Sequence, residues 1–188
     1  MAAPDRKTLI LDTTLAVIAG AGLDGLTHRA VDAAAGLPAG STSYHFPKKA
    51  ALLAAAADRL EALLGKDCDD LQVGFSERVA AQGMDAAIDY VGVELVAYAD
   101  RERDLFLARM ELTLAAARRP ELEGVGERLT AAAQRPIAFF LDLMAGRRAD
   151  APVEVCAGLI DGITLRYVTG QGPRPTAEQV RAVFAALL

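Results

Sequence analysis

Residues 27–49 read Thr-His-Arg-Ala-Val-Asp-Ala-Ala-Ala-Gly-Leu-Pro-Ala-Gly-Ser-Thr-Ser-Tyr-His-Phe-Pro-Lys-Lys, and they constrain the fold more than any other stretch. Thr27 is placed to cap a helix, because its hydroxyl can accept a bond from an orphan amide of the first turn. Ala30, Val31 and Ala34 give that helix a short apolar face at helical spacing. Gly36 stands where the helix must stop, and glycine takes a left-handed backbone without steric cost. Pro38 cannot extend the first helix but suits the opening of another. A second helix is expected through Gly40, Ser41, Thr42, Ser43 and Tyr44, with Phe46 turned inward and Tyr44 and His45 near the rim. The layout is a helix-turn-helix, and the small, polar surface of its second helix suits a DNA major groove.

The ordered set Gly36, Gly40-Ser41, Tyr44-His45-Phe46, Lys49 and Leu52-Leu53 resembles the DNA-binding signature of the tetracycline-repressor (TetR) family of transcriptional regulators. The resemblance implies an all-α protein of about nine helices. A three-helix DNA-binding domain over residues 1–47 would precede a helical effector-binding and dimerisation domain over 48–188. It also implies roles residue by residue. Ala39, Gly40, Ser41 and Ser43 would face the groove floor, where glycine permits close approach and serine hydroxyls read donors or acceptors. Tyr44, His45 and Lys49 would hold phosphates, joined by Thr27 and His28 from the first helix. Two departures stand out. Asp32 occupies a position the family gives to a small residue, and it would crowd the helix crossing unless it faced solvent or paired locally. Thr42-Ser43 replaces an aliphatic-Tyr pair.

Composition agrees with an all-helical chain, since 53% of its residues are apolar and β-branched runs are scarce. No apolar run comes near the roughly 18–20 residues that span a bilayer, and no secretory cleavage pattern follows the N-terminus. A cytoplasmic protein with no membrane partner is expected. The net charge is −5, but its distribution matters more than its sum. Residues 1–50 carry five basic side chains (Arg6, Lys7, Arg29, Lys48, Lys49) against four acidic ones, leaving +1 there and −6 in the remainder. The acidic remainder discourages non-specific adhesion to DNA. Cys68 and Cys156 lie far apart in helical patterns and are expected as reduced, partly buried thiols. Neither histidine stands at ligand spacing from a cysteine, so no metal is expected, and no cofactor.

Along the chain, helical periodicity first covers about Asp5 to Ala21. A long helix is expected from Lys48 to about Ala81, with possible interruptions near Gly65 or Gly74. Amphipathic segments follow at about Asp85 to Ala99, Arg101 to Ala117, Pro120 to Ala145, Pro152 to Thr169 and Thr176 to Leu187, with a polar break at 146–150. Leu159, Ile163 and Tyr167 on the penultimate helix, with Val180, Val183, Phe184 and Leu187 on the last, form apolar faces. By the resemblance, such a terminal pair meets its copy in a homodimer, which also suits the reading of two half-sites.

Tyr90, Glu94, Tyr98, Phe106, Arg109, Met110, Phe139 and Thr164 are polar-tipped or soft residues in apolar helices. They are the candidates to line a pocket for a small, mainly apolar effector. The expected function is thus a ligand-responsive regulator, a repressor binding a palindromic double-stranded DNA operator as a homodimer. A helical interaction adaptor without DNA binding is the alternative, and a small-molecule enzyme a further one. No nucleophile elbow, phosphate-cradling loop or carboxylate pair supports an enzyme. Gly20, Gly22 and Gly25 follow a helix, not a strand, and so do not read as a dinucleotide fingerprint.

Overall fold

The computed structural model describes residues 5–145 and 152–187. Among the described residues there are nine α-helices, one 3-10 turn and no strand. The helices are α1 (Arg6–Gly25), α2 (His28–Ala34), α3 (Ser41–His45), α4 (Lys49–Gln82), α5 (Met84–Arg101), α6 (Arg103–Ala116), α7 (Val125–Ala145), α8 (Val153–Val168) and α9 (Ala177–Leu187). The 3-10 turn, Pro120–Leu122, takes the place of the first turn expected for α7. The polar break expected at 146–150 lies outside the described residues.

The chain forms two compact units whose bounds differ from the 1–47 and 48–188 division. One takes the chain up to Leu63 together with Asp104–Thr130; the other takes Leu64–Arg103 and the chain from Ala131 onward. In the first unit, α1 is capped by Asp5, whose carboxylate accepts the amides of Lys7 and Thr8 at 2.8 and 3.0 Å. Helical geometry is broken at Gly22, close to where the periodicity ran out. Ile10, Leu15 and Ile18 of α1, Val31 of α2 and Leu52 and Leu60 of α4 are fully buried. On α1 the buried positions Ile10, Thr14 and Ile18, and on α4 Leu52, Ala56 and Leu60, follow at intervals of four, which puts their side chains on one helical face. Asp12 of α1 accepts two bonds from Arg59 of α4, at 2.7 and 3.1 Å, at the half-exposed margin of that core.

By length and mean hydropathy (1.3) α1 is sufficient to cross a membrane, which corrects the expectation that no stretch comes near that limit. Asp12, half-exposed on its flank, is paired with Arg59, and Ile10, Leu15 and Ile18 on its apolar side are buried. The same hydropathy describes a core helix.

The second unit is built from the later turns of α4 with α5, most of α7, α8 and α9. Phe75, Val91, Ile137, Phe140, Val180 and Phe184 form the centre of its core. Phe75, Phe139 and Phe140 meet edge to face, with ring centroids 5.0–6.0 Å apart, the arrangement the ring quadrupoles favour. Close approach of α9 to α5 depends on Gly92, where an added Cβ would lie 3.2 Å from the Ala177 carbonyl. Thr176 and Gln179 close α9 with a reciprocal capping box. Contrary to the expected interruption, α4 runs unbroken past Gly65 and Gly74. There the missing side chains make room for neighbours, Arg135 over Gly65 and the Tyr90 phenol over Gly74. Cys68 and Cys156 are both buried and unbonded to each other. Burial pushes the Cys156 thiol up to about 11.

Candidate nucleic-acid interface

Thr27 caps α2 as the sequence indicated, its hydroxyl accepting the Ala30 amide at 3.0 Å. The turn after α2 uses two left-handed glycines, Gly36 (φ 64°) and Gly40 (φ 93°), where any side chain would be strained. Only five residues, Ser41–His45, then form α3. A single turn of helix has too few internal bonds to persist alone, so its geometry must come from tertiary anchors. Phe46 is one, buried just past its end.

Asp32 is the other anchor. It is 3% exposed and pairs locally, which settles how the helix crossing tolerates it. Its Oδ1 accepts both the amide and the hydroxyl of Thr42, at 2.7 and 2.6 Å. Its Oδ2 accepts the Gly40 amide at 2.7 Å, and its main-chain carbonyl accepts the Leu37 amide at 2.8 Å. The Thr42 hydroxyl, aided by the two amides and by His28, outweighs burial and holds the Asp32 carboxyl below the usual carboxylate range.

The outward surface of α2, α3 and the turn gathers Thr27, Ala39, Gly40, Ser43 and Tyr44, all exposed, with Ser41 and His45 half-buried beside them. Tyr44 is 83% exposed, and its ring stands edge-on to His45 at 5.2 Å. The serine hydroxyls already donate within the turn, Ser41 to the Pro38 carbonyl at 2.6 Å and Ser43 to the Gly40 carbonyl at 3.0 Å. In that arrangement their oxygens are left as acceptors. Two expected phosphate ligands have internal partners. His28 donates through Nε2 to the Phe46 carbonyl at 2.7 Å, and Lys49 donates to the Leu23 carbonyl at 2.8 Å. Each ties the first residue of a helix to a main-chain carbonyl at the end of another, Phe46 just past α3 and Leu23 in the last turns of α1. Arg29 and Lys48 are the exposed cations of the same region; the charge count contained them, but no motif position drew them out.

The eight expected effector residues are divided between the two units. Phe106, Arg109 and Met110 belong to the first unit, where the Arg109 guanidinium lies buried over the Phe106 ring at 5.0 Å. Tyr90 lies over Gly74, Glu94 pairs with Arg101 at 3.4 Å, and Phe139 meets Phe75 and Phe140 edge to face. Tyr98 and Thr164 are half-buried. None of the eight lines the cavity of about 210 Å³ in the second unit, which is walled by Phe75, Val91, Phe140, Val180 and Phe184. Helical periodicity marks apolar faces, but a cavity arises where several such faces fail to fill the space between them.

The expected dimer residues divide in a similar way. Val180 and Phe184 are buried in the second unit's own core. Ile163, Tyr167 and Val183 are half-buried, and the Tyr167 hydroxyl donates to Asp100 at 2.7 Å. The side chain of Leu187 lies outside the described residues. Leu159 is 48% exposed, and Val155, Gly158, Gly162 and Leu165 continue its outward face along α8.

Residues 10–56 match the family described as bacterial regulatory proteins, tetR family. Residues 82–188 match the tetracyclin repressor-like C-terminal domain. No curated protein matches the chain. Among solved structures, a TetR-family member from Streptomyces coelicolor A3 is 27% identical, with 98% of this chain and 99% of that one covered and a TM-score of 0.66. The multidrug binding protein EbrR complexed with ethidium is 26% identical over 100% of both chains, with a TM-score of 0.66. EbrR complexed with malachite green is 26% identical over 98% and 99%, with a TM-score of 0.65. The helix-turn-helix and the helical domain that follows it in the chain are those of a DNA-binding transcription regulator. The chain belongs to the tetR family.

Proposed function

We propose that this protein is a ligand-responsive repressor that binds a palindromic operator as a homodimer and is released by a small, mainly apolar effector. The observation that carries the reading is the exposed, small-and-polar face of α3, anchored from behind by Asp32 and Phe46 and rimmed by the exposed Tyr44. Ala39, Gly40, Ser41 and Ser43 face the groove floor, while Thr27, Tyr44, His45 and Lys48 meet phosphates. Lys49 and His28 hold the ends of α1 and α3 that set the angle of approach.

The apolar cavity walled by Phe75, Phe140 and Phe184 is the effector site. A dry cavity of about 150 Å³ holds benzene, so about 210 Å³ suits one substituted aromatic ring. EbrR, with its bound ethidium and malachite green, supports an aromatic effector class. Phe75 lies on α4, whose other end begins at Lys49, so a ligand that favours one α4 position biases DNA binding by its differential affinity. The outward α8 face, Val155-Gly158-Leu159-Gly162-Leu165, is the surface for the second copy, in the cytoplasm where the operator lies.

The test is a mobility shift on DNA flanking the protein's own coding region, against excess non-specific duplex. Selective retention followed by release with single-ring aromatics supports the reading. Equal competition by any duplex overturns DNA recognition, and retention that no such compound relieves overturns the effector half alone. For the dimer, Leu159→Arg yields monomers in sedimentation, and an unchanged dimer mass rejects the α8 face.

A further inference from the structure

We infer that Asp32 is the specificity-determining positioning residue of the DNA-reading helix: its buried carboxylate, through Thr42 and Gly40, presets the pitch and register of α3. The inference rests on the DNA-binding reading above and adds to it a residue that makes no DNA contact.

Four observations combine. First, α3 is one turn long and cannot hold its own geometry. Second, its N-cap is Gly40, which has no side chain with which to cap. The orphan amides at the start of α3 are bonded instead by a residue eight to ten positions earlier, on α2. Third, the Thr42 side chain points into the protein, fully buried, and its hydroxyl donates to the same carboxylate oxygen as its amide. Fourth, the Asp32 main chain holds Leu37, so one residue fixes the turn at three points on either side of Pro38. Buried polar groups that are fully bonded specify one arrangement, because any shift leaves a buried charge unpaired.

The arrangement has a second consequence. Amides at a helix N-terminus ordinarily attract phosphate, but those of Gly40 and Thr42 are already occupied by an internal anion. The α3 terminus is thus kept from binding any DNA backbone indiscriminately, and recognition is left to side chains. Simple electrostatics and positioning then make opposite predictions for Asp32→Asn. Removing a negative charge near a polyanion strengthens binding to every duplex. Loss of the preset helix weakens only the duplex that α3 reads.

The full-length protein is first used to select a site from random duplex DNA. Dissociation constants for the selected site and for a scrambled duplex of equal length are then measured at one salt concentration, with thermal denaturation alongside. Asp32→Asn is expected to weaken the selected site at least tenfold and to leave the scrambled duplex within about twofold or slightly tighter. Thr42→Val, which removes the hydroxyl but keeps the amide bond, is expected to lose several-fold on the selected site only, and Thr42→Ser to retain wild-type discrimination. The Thr42 pair decides the matter if Asp32→Asn does not fold. Wild-type discrimination in Asp32→Asn or Thr42→Val, or affinities for both duplexes that fall together with the melting temperature, overturn the inference. Failure of the wild-type protein to enrich any site overturns the DNA-binding reading itself, and the inference with it.

Discussion

Lys49→Met separates two roles for a lysine that the family pattern assigns to a phosphate. In the structure its ammonium donates to the Leu23 carbonyl at 2.8 Å from a half-buried position. A hydrogen bond to a charged group contributes about 1.5–3 kcal/mol. Water can replace the ammonium at a partly open carbonyl, and methionine keeps the apolar stem, so about 1 kcal/mol is the expected loss. For a chain of this size that lowers the melting temperature by roughly 2–4 °C. The assay pairs thermal denaturation with a salt titration of DNA binding. As a clamp, Lys49→Met lowers the melting temperature and leaves the salt slope unchanged. A phosphate ligand instead lowers the magnitude of the slope by about one per protomer. Lys48→Met is the control, since Lys48 is exposed; its melting temperature should hold while its slope falls. An unchanged melting temperature with a reduced slope for Lys49→Met would refute the clamp.

Other predictions follow from the same geometry. The Asp32 carboxyl titrates lower in the folded protein than in the unfolded chain, so its contribution to stability is present above the ordinary carboxylate range and lost as pH falls through the folded value. Urea unfolding of Asp32→Asn from pH 6 to 3 should therefore show a shallower acid-side decline than wild type; parallel curves would remove Asp32 from the acid response. With burial raising the Cys156 thiol to about 11, and Cys68 buried as well, a thiol-reactive dye should label neither cysteine at pH 7.5 until denaturant is added. Prompt labelling of the native protein contradicts their burial. Phe184→Ala should cost about 3–4 kcal/mol in urea denaturation, because it removes a buried ring and enlarges a cavity that cannot collapse fully. A loss under about 1 kcal/mol would mean that α9 does not seal the second unit.

The family, most of the helices and the turn chemistry were legible in the residues alone. Those depend on short-range physics: a hydroxyl beside orphan amides at Thr27, a left-handed residue at Gly36, apolar spacing of three and four through Leu52 to Leu60. Even Asp32 was conspicuous as a residue out of place. Tertiary structure alone decided what it does, because its partners at Gly40 and Thr42 are eight and ten residues away. For Lys49, too, charge suggested a phosphate, and only the packing shows its ammonium within reach of the Leu23 carbonyl. Val180 and Phe184 share an apolar face that a sequence cannot assign to a partner or to the chain's own core; the approach of α9 to Gly92 assigned it to the core. Periodicity records that a face is buried. What buries it, and which polar group meets which, is set by the packing of segments far apart in the chain.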